Sequence, residues 1–375
     1  MAVTNKRGAA AAAALCLALS ACGSDVNTVR WSIGGGDAPA PTATVPVECG
    51  GEQALTGEGS TAQKGAMDVF IAAYTRQCPG FQMSYTASGS GAGVKQFVSG
   101  IVDIGGSDSA LKAEKGEVDD AAARCGGNPA WNLPLVFGPV AVVYQVDGLT
   151  DLTLNGAVLA EIFSGAITRW NDPAIAALNG GTALPDLPIA VVYRADESGT
   201  TDNFQKYLTA ASDGAWTKGA GKTFNGGIGQ GGQGSPGVAE AVAASRGAIG
   251  YVEWSFAQDK GLRMAAIDSG SGPVPLSVES ARKAIEAATI KGKGNDLVLD
   301  LDALYASDSP GAYPLVLVTY EIVCSTGYSP ETVTAVKAFL NTAATAGQAG
   351  MTESGYVPLP DKFQSRLLDA IAAIR

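Results

Sequence analysis

"YRADESGTTDNF", residues 193–204, carries Arg194, Asp196, Glu197 and a Ser-Gly-Thr-Thr run between two contrasting segments. Ahead of it lies the apolar, β-branched stretch 189–193, and behind it residues 202–210 repeat apolar side chains at helical spacing. A strand that turns through small hydroxyl residues directly into a helix is the building unit of α/β folds, because Ser and Thr cap the free N–H groups of the first helical turn. The same grammar recurs in "TGEGSTAQ" (56–63), "ASGSGAGVKQF" (87–97) and "GGSDSAL" (105–111). Each places glycine and hydroxyl residues between an apolar strand and an expected helix.

Working outward, the pattern predicts helices over 63–76, 94–99, 154–164, 202–210, 238–245, 278–288 and 330–346. It predicts strands over 83–87, 135–145, 189–193, 248–252 and 315–323. Short strands alternating with longer helices give an α/β fold with mostly parallel sheets, and 375 residues point to two lobes rather than one domain. Two long β-branched stretches, "PLVFGPVAVVYQV" (134–146) and "YPLVLVTYEIV" (313–323), read either as segments passing between lobes or as ordinary central strands. No fixed-period repeat is evident.

The N-terminus has Lys6 and Arg7, an apolar Ala-rich run over 9–19, then "LSAC" (19–22), with no acid before Asp25. This is the layout of a secretory signal, and "LSAC" followed by Gly23 resembles the bacterial lipobox. The expectation is a signal peptide over 1–21, lipidation (palmitate) at Cys22 and a flexible tether over 22–47, typified by "GGGDAPAPTATVPV" (34–47), whose composition cannot build a core. Elsewhere no apolar run approaches the ~20 residues that span a bilayer. The protein is thus expected outside the cytoplasm, lipid-anchored to the outer face of the cell membrane. Cys49, Cys78, Cys125 and Cys324 remain for two disulfides in an oxidising compartment. Three connectivities are open, and Cys78 with Cys125 and Cys49 with Cys324 is the one taken here.

Composition excludes several functions. Lys and Arg number 25 against 36 Asp and Glu, a net charge of −11, so nucleic acid is not an expected partner. Histidine is absent, which removes Ser-His and Cys-His dyads, His-bearing zinc sites and imidazole bases. "GAGKT" (219–223) fails as a phosphate loop because Trp216 holds the position of its first glycine, and "GQGGQG" (229–234) is read as a glycine-rich loop with no strand before it. No Gly-x-Ser-x-Gly elbow exists. No catalysis, metal or cofactor is expected.

The four glycine- and hydroxyl-bearing segments remain. Any one of them is explained by helix capping and turns alone. Together, helix N-termini offering free N–H groups, the positive end of the helix dipole and hydroxyl donors could surround a small oxyanion. The planar fork of Arg194 suits a tetrahedral oxyanion, and Asp196 is placed to hold that fork; the pair also reads as a solvated surface contact. Asp108 reads as a helix cap or as a filter. A carboxylate accepts but does not donate, so in an anion pocket it repels a fully ionised ligand and welcomes one still bearing a proton, as phosphate does near neutrality and sulfate does not.

In this order, "SGSGAGVKQF" (88–97), "GGSDSAL" (105–111), "LAEIFSGAITRWNDPAIAALN" (159–179), "RADESGTTDNFQKYL" (194–208) and "AIGYVEWSFA" (248–257) resemble the phosphate-binding protein of the ABC-type phosphate importer, the PstS family, in its actinobacterial lipoprotein form. The resemblance runs from about Cys49 to the C-terminus. It implies a two-lobed periplasmic-binding-protein-like fold of type II, with ligand between the lobes: lobe I over 48–137 plus 256–375 and lobe II over 138–255. It implies a monomer that captures inorganic phosphate and delivers it to an ABC-type permease. By the same resemblance the ligand contacts are Thr61, the backbone of Ala62, Ser90, Asp108, Arg194, Ser198, Gly199 and Thr200, with Asp196 orienting the arginine. Two positions depart from the family pattern: Ala62 replaces a frequent phenylalanine, and Glu197 replaces a glycine, so Glu197 is expected to face solvent. Rival readings are a binder of another oxyanion, a phosphatase using serine or a Ser-Lys pair, and a surface adhesin or sensor that feeds no transporter.

Overall fold

The computed structural model describes residues 47–375. The expected signal peptide, Cys22 and almost all of the expected tether lie outside the described residues.

A nine-stranded sheet organises the chain. Its strands are β1 (Ala54–Gly59), β2 (Gln82–Ala87), β3 (Ile104–Ser107), β4 (Ala130–Gln145), β5 (Ala190–Arg194), β6 (Gln230–Gly232), β7 (Ala248–Glu253), β8 (Arg263–Met264) and β9 (Val316–Cys324). The principal helices are α1 (Lys64–Gln77), α2 (Ser90–Val98), α3 (Glu117–Arg124), α4 (Gly156–Ser164), α5 (Gly199–Ala211), α6 (Gly234–Ala244), α7 (Pro330–Ala344) and α8 (Asp361–Ala373). The strand order is β2-β1-β3-β9-β4-β7-β5-β6, with β8 also on β4.

Pairing is parallel at both ends and antiparallel in the middle. β1 pairs in parallel with β2 and β3, and β5 with β6 and β7. Strand β4 joins the two ends by changing partner along its length: residues 130–139 pair with β9 and residues 140–145 with β7. The stretch 134–146 is therefore the segment that belongs to both halves of the sheet. Its side chains are buried almost throughout, as a strand covered on both faces requires, and the continuous β-branched run meets that demand. The fold is two-lobed and periplasmic-binding-protein-like, with α/β layers on each half.

The aromatic ring of Phe163 on α4 meets Phe204 on α5 edge-on at 4.8 Å, and Phe204 stacks on Tyr251 of β7 at 4.3 Å. Burying such rings contributes about 1.5–3 kcal/mol each and locks α5, whose N-terminus enters the site, against the sheet.

Three sequence expectations change. The main sheet is mixed rather than mostly parallel, because its long central strands β9 and β4 pair antiparallel with each other and with β3 and β7. The disulfides are Cys49–Cys78 and Cys125–Cys324, each with Cα atoms 5.4 Å apart, rather than Cys78–Cys125 and Cys49–Cys324. Helix α1 ends on its C-cap, Cys78, beside Cys49, which lies just ahead of β1; α3 ends at Cys125 next to Cys324, the last residue of β9. A bridge needs Cα atoms within about 7 Å, and the connectivity follows from that geometry. Helices α2, α5 and α6 also begin three or four residues before the predicted starts at 94, 202 and 238. Glycine, serine and threonine, poor in helix interiors, fill those first turns.

Candidate functional site

The loops at the C-terminal ends of the parallel strands meet near the middle of the sheet, where ligands of open α/β sheets bind. β1 leads through Ser60 and Thr61 into α1, β2 into α2 at Ser90, β3 into Asp108, β5 ends on Arg194 ahead of α5, and β6 leads into α6. The junction is tight. Gly59 has φ +148°, and a Cβ there would sit 1.9 Å from the carbonyl oxygen of Gly106, so only glycine lets β1 and β3 close together. Helices α1, α2 and α6 lack side-chain caps, whereas Ser198 caps α5 by accepting from the Thr201 N–H at 3.2 Å.

Arg194 is buried, 3% exposed, and gripped by Asp196 through Nε–Oδ1 at 2.8 Å and Nη2–Oδ2 at 2.6 Å. Burial would raise the Asp196 carboxyl, but hydrogen bonds and charge from Arg194 outweigh it and hold the group below its usual range. Asp196 Oδ1 also accepts from the Gly234 N–H at 3.0 Å. The free edge of the guanidinium donates from Nη1 to Thr200 Oγ1 at 3.3 Å and to Ser235 Oγ at 3.2 Å. Ser235 in turn shares a 2.7 Å hydrogen bond with the Thr61 hydroxyl.

Facing this group, Asp108 is buried, 2% exposed. Thr319 donates to its Oδ1 at 2.7 Å and Ser90 to its Oδ2 at 3.2 Å, while Asn203 Nδ2 donates to its backbone carbonyl at 2.7 Å. Burial, and after it the charge of Glu253, pushes the Asp108 carboxyl up to about 6 against the hydrogen bond from Thr319 and the charge of Arg194. Gly199 lies between the two groups: a Cβ on it would stand 2.6 Å from both Asp108 Cβ and Ser90 Oγ.

Of the predicted contact residues, Thr61, Ser90, Asp108, Arg194, Ser198, Gly199 and Thr200 gather here with Asp196. Ala62 is adjacent and buried, but its N–H donates to Ser60 Oγ at 3.0 Å and is engaged within its own turn. Glu197 turns outward into an ion pair with Lys95, its side chain 47% exposed. Two segments behave differently from their reading. "GGSDSAL" leaves β3 through a bend at 108–109 into irregular chain rather than a helix. "GQGGQG" is not a loop: it holds β6 and opens α6, which delivers Ser235. Its strand, glycine, Ser-Pro and helix repeat the grammar of the other segments, and that signal was available. Ser235, Thr319, Asn203 and Glu253 were missed because their partners lie 41 to 211 residues away in sequence.

Among the described residues no group of three or more Cys, Asp or Glu is placed to hold a metal ion, and no helix is long and apolar enough to cross a membrane.

Residues 37–345 match the PBP superfamily domain. The chain is 51% identical over 374 residues to "Phosphate-binding protein PstS 3" of Mycobacterium tuberculosis, covering 99% of each chain. It is 49% identical over 360 residues to "Phosphate-binding protein PstS 2" of the same species, covering 96% of this chain and 95% of the relative. Among solved structures, a high-affinity periplasmic phosphate-binding protein (PfluDING) bound with phosphate superposes with a TM-score of 0.66 at 24% identity, over 83% of this chain and 92% of that one.

Proposed function

Because this chain belongs to the PstS phosphate-binding proteins of the PBP superfamily, we propose that it captures inorganic phosphate outside the cytoplasm and hands it to an ABC-type phosphate permease. Thr61, Ser90, Asp108, Arg194, Ser198, Gly199 and Thr200 form the ligand shell, the Ala62 N–H joins it by exchanging Ser60 Oγ for the ligand, and Asp196 fixes the guanidinium. Lobe I comprises 48–137 and 256–375, lobe II 138–255, so that β4 is one of the connecting strands. The protein acts as a monomer tethered through lipid on Cys22, and catalyses no reaction.

One observation carries this reading: a buried acid, Asp108, stands among hydroxyl donors opposite the buried guanidinium of Arg194. For an anion that has lost every proton the carboxylate is a repulsive wall; for phosphate it is an acceptor. Because the chain carries −11, attraction at long range does not assist, and recognition rests on short-range donors already in position.

The test is titration calorimetry of phosphate and sulfate against the parent protein and Asp108→Asn. The parent is expected to bind phosphate alone. The variant, whose amide donates, narrows the preference by about 10–100-fold, the cost of one unmet buried hydrogen bond. Equal affinity of the parent for both anions would sink the reading, and phosphate released from a phosphate ester would replace it with an enzyme.

A further inference from the structure

Behind the turn from β1 into α1 lies a buried acid that has no part in the ligand shell. Glu321 of β9 is fully buried, and neither of its carboxyl oxygens accepts a hydrogen bond. Its register partner across the sheet is Gly106 of β3, and a Cβ on Gly106 would collide with Gln63 Nε2 and the Tyr85 hydroxyl. Gln63, the N-cap of α1, is fully buried and lies close enough to the Glu321 carboxyl to act on it. Its Nε2 donates to the Tyr85 hydroxyl at 3.0 Å, while its Oε1 has no donor. Tyr85 donates to the Ser60 carbonyl at 2.9 Å, the one direction open to it between a carbonyl that accepts and an amide that donates. Ser60 opens the turn that presents Thr61 and Ala62, and its N–H is held by the Gly106 carbonyl at 2.9 Å.

Gln63 Oε1 and both oxygens of Glu321 are thus buried acceptors without a donor. A carboxylate beside a bare amide oxygen is costly, and a single proton on Glu321 supplies the donor that both groups lack. Resting on the phosphate reading, we propose that Glu321 is a positioning residue, acting in its protonated form through Gln63 and Tyr85 to fix the β1–α1 turn that grips the ligand.

The protonated acid donates to Gln63 Oε1, which keeps Nε2 on Tyr85 and so keeps Tyr85 on the Ser60 carbonyl. When the acid loses its proton to solvent, the carboxylate needs a donor and the Gln63 amide turns over to give it Nε2. Oε1 then takes the Tyr85 hydrogen, and the Ser60 carbonyl is left bare. The surroundings favour the proton. Burial raises the Glu321 carboxyl to about 8, opposed by Gln63 from the start of α1 and reinforced by the charge of Asp108 beyond β3. Burial, and after it the charge of Glu321, holds the Tyr85 hydroxyl on β2 well above its usual range, so this link keeps its hydrogen. Leu133, opposite Glu321 on β4, carries no charge. The relay therefore holds through neutrality and opens above it.

Inorganic phosphate affinity is measured by calorimetry from about pH 6 to pH 9 for the parent, Glu321→Gln, Tyr85→Phe and the double variant. In E321Q an amide donates to Gln63 at every pH. Its affinity relative to the parent's is expected to climb about tenfold as the parent acid ionises, one lost hydrogen bond's worth. Taking the ratio at each pH removes the ionisation of phosphate and of Asp108, to which both proteins are subject. In the Y85F background the same substitution is expected to give no climb, because the relay is already cut before Ser60. Parallel parent and E321Q profiles overturn the inference, since packing alone changes affinity by one factor throughout. A climb that persists in the Y85F background overturns it as well, because the carboxylate would then act on the ligand by charge through space. If E321Q does not fold, Y85F decides alone: the parent's advantage over it is expected to shrink toward alkaline pH, and a constant advantage overturns the relay. A parent that binds no phosphate at any pH defeats the functional reading beneath, a result distinct from parallel profiles.

Discussion

A single hydrogen atom at Gly199 decides how closely the two sides of the site approach. Any Cβ there lies inside contact distance of Asp108 and Ser90, 2.6 Å from each. Gly199→Ala is expected to weaken phosphate binding about 5- to 100-fold, the range set by an overlap costing about 1–3 kcal/mol. Calorimetry checks the affinity; an undiminished affinity would show that the site tolerates wider spacing. Both residues of the contact were legible in sequence, Asp108 because an acid is conspicuous among hydroxyl residues and Gly199 because it sits in a strand-to-helix turn. That they touch was not legible, since 91 residues separate them and local pattern says nothing about that distance.

Among the elements, β9 brings an unanticipated feature. It is a buried central strand, and alternation puts Thr319 and Glu321 on one face. Thr319 supports Asp108 directly. Glu321 is fully buried beside Gly106 with neither carboxyl oxygen hydrogen-bonded, and burial, with the charge of Asp108 adding to it, raises the carboxyl to about 8. An acid whose folded value is raised binds its proton more tightly when folded. Its stabilisation is present below the unfolded value and is lost as pH rises to the folded one. Between about pH 4.5 and pH 8 this group thus lowers stability by on the order of 5 kcal/mol. Glu321→Gln removes the titration, so the variant's Tm is expected to rise above the parent's increasingly from pH 5 to pH 8 and then to keep a constant margin. Thermal denaturation across that range checks it, and a pH-independent difference would contradict it. The helices teach a related lesson. Periodicity located α2, α5 and α6, yet it missed their opening turns, where glycine and hydroxyl residues depress helix propensity and expose the backbone donors that an anion uses.

At the scale of the molecule, ion pairs join the two proposed lobes around the site. Lys112 meets Asp202 at 2.9 Å, Lys222 meets Glu117 at 2.8 Å, and Lys95 meets Glu197 on the surface. The exposed pair contributes little, but Lys222 is buried, with 5% of its side chain exposed, and Glu117 is its carboxylate partner. Removing one partner strands the other's charge. Glu117→Gln is expected to weaken the contact between the proposed lobes by on the order of 1–3 kcal/mol, seen in stopped-flow as a faster phosphate off-rate by about 5- to 100-fold with the on-rate little changed. An unaltered off-rate would remove these pairs from any role in holding the lobes together. The amino-acid sequence by itself determined the α/β class, the parallel strand-to-helix turns and the residues that those turns expose, because each depends on side chains a few positions apart. Tertiary structure alone decided the disulfide pairing, the partner change along β4, and the placing of Ser235, Glu253, Thr319 and Glu321 around the proposed anion site. Those contacts follow from the order of strands in the sheet, which brings together residues that no local periodicity relates.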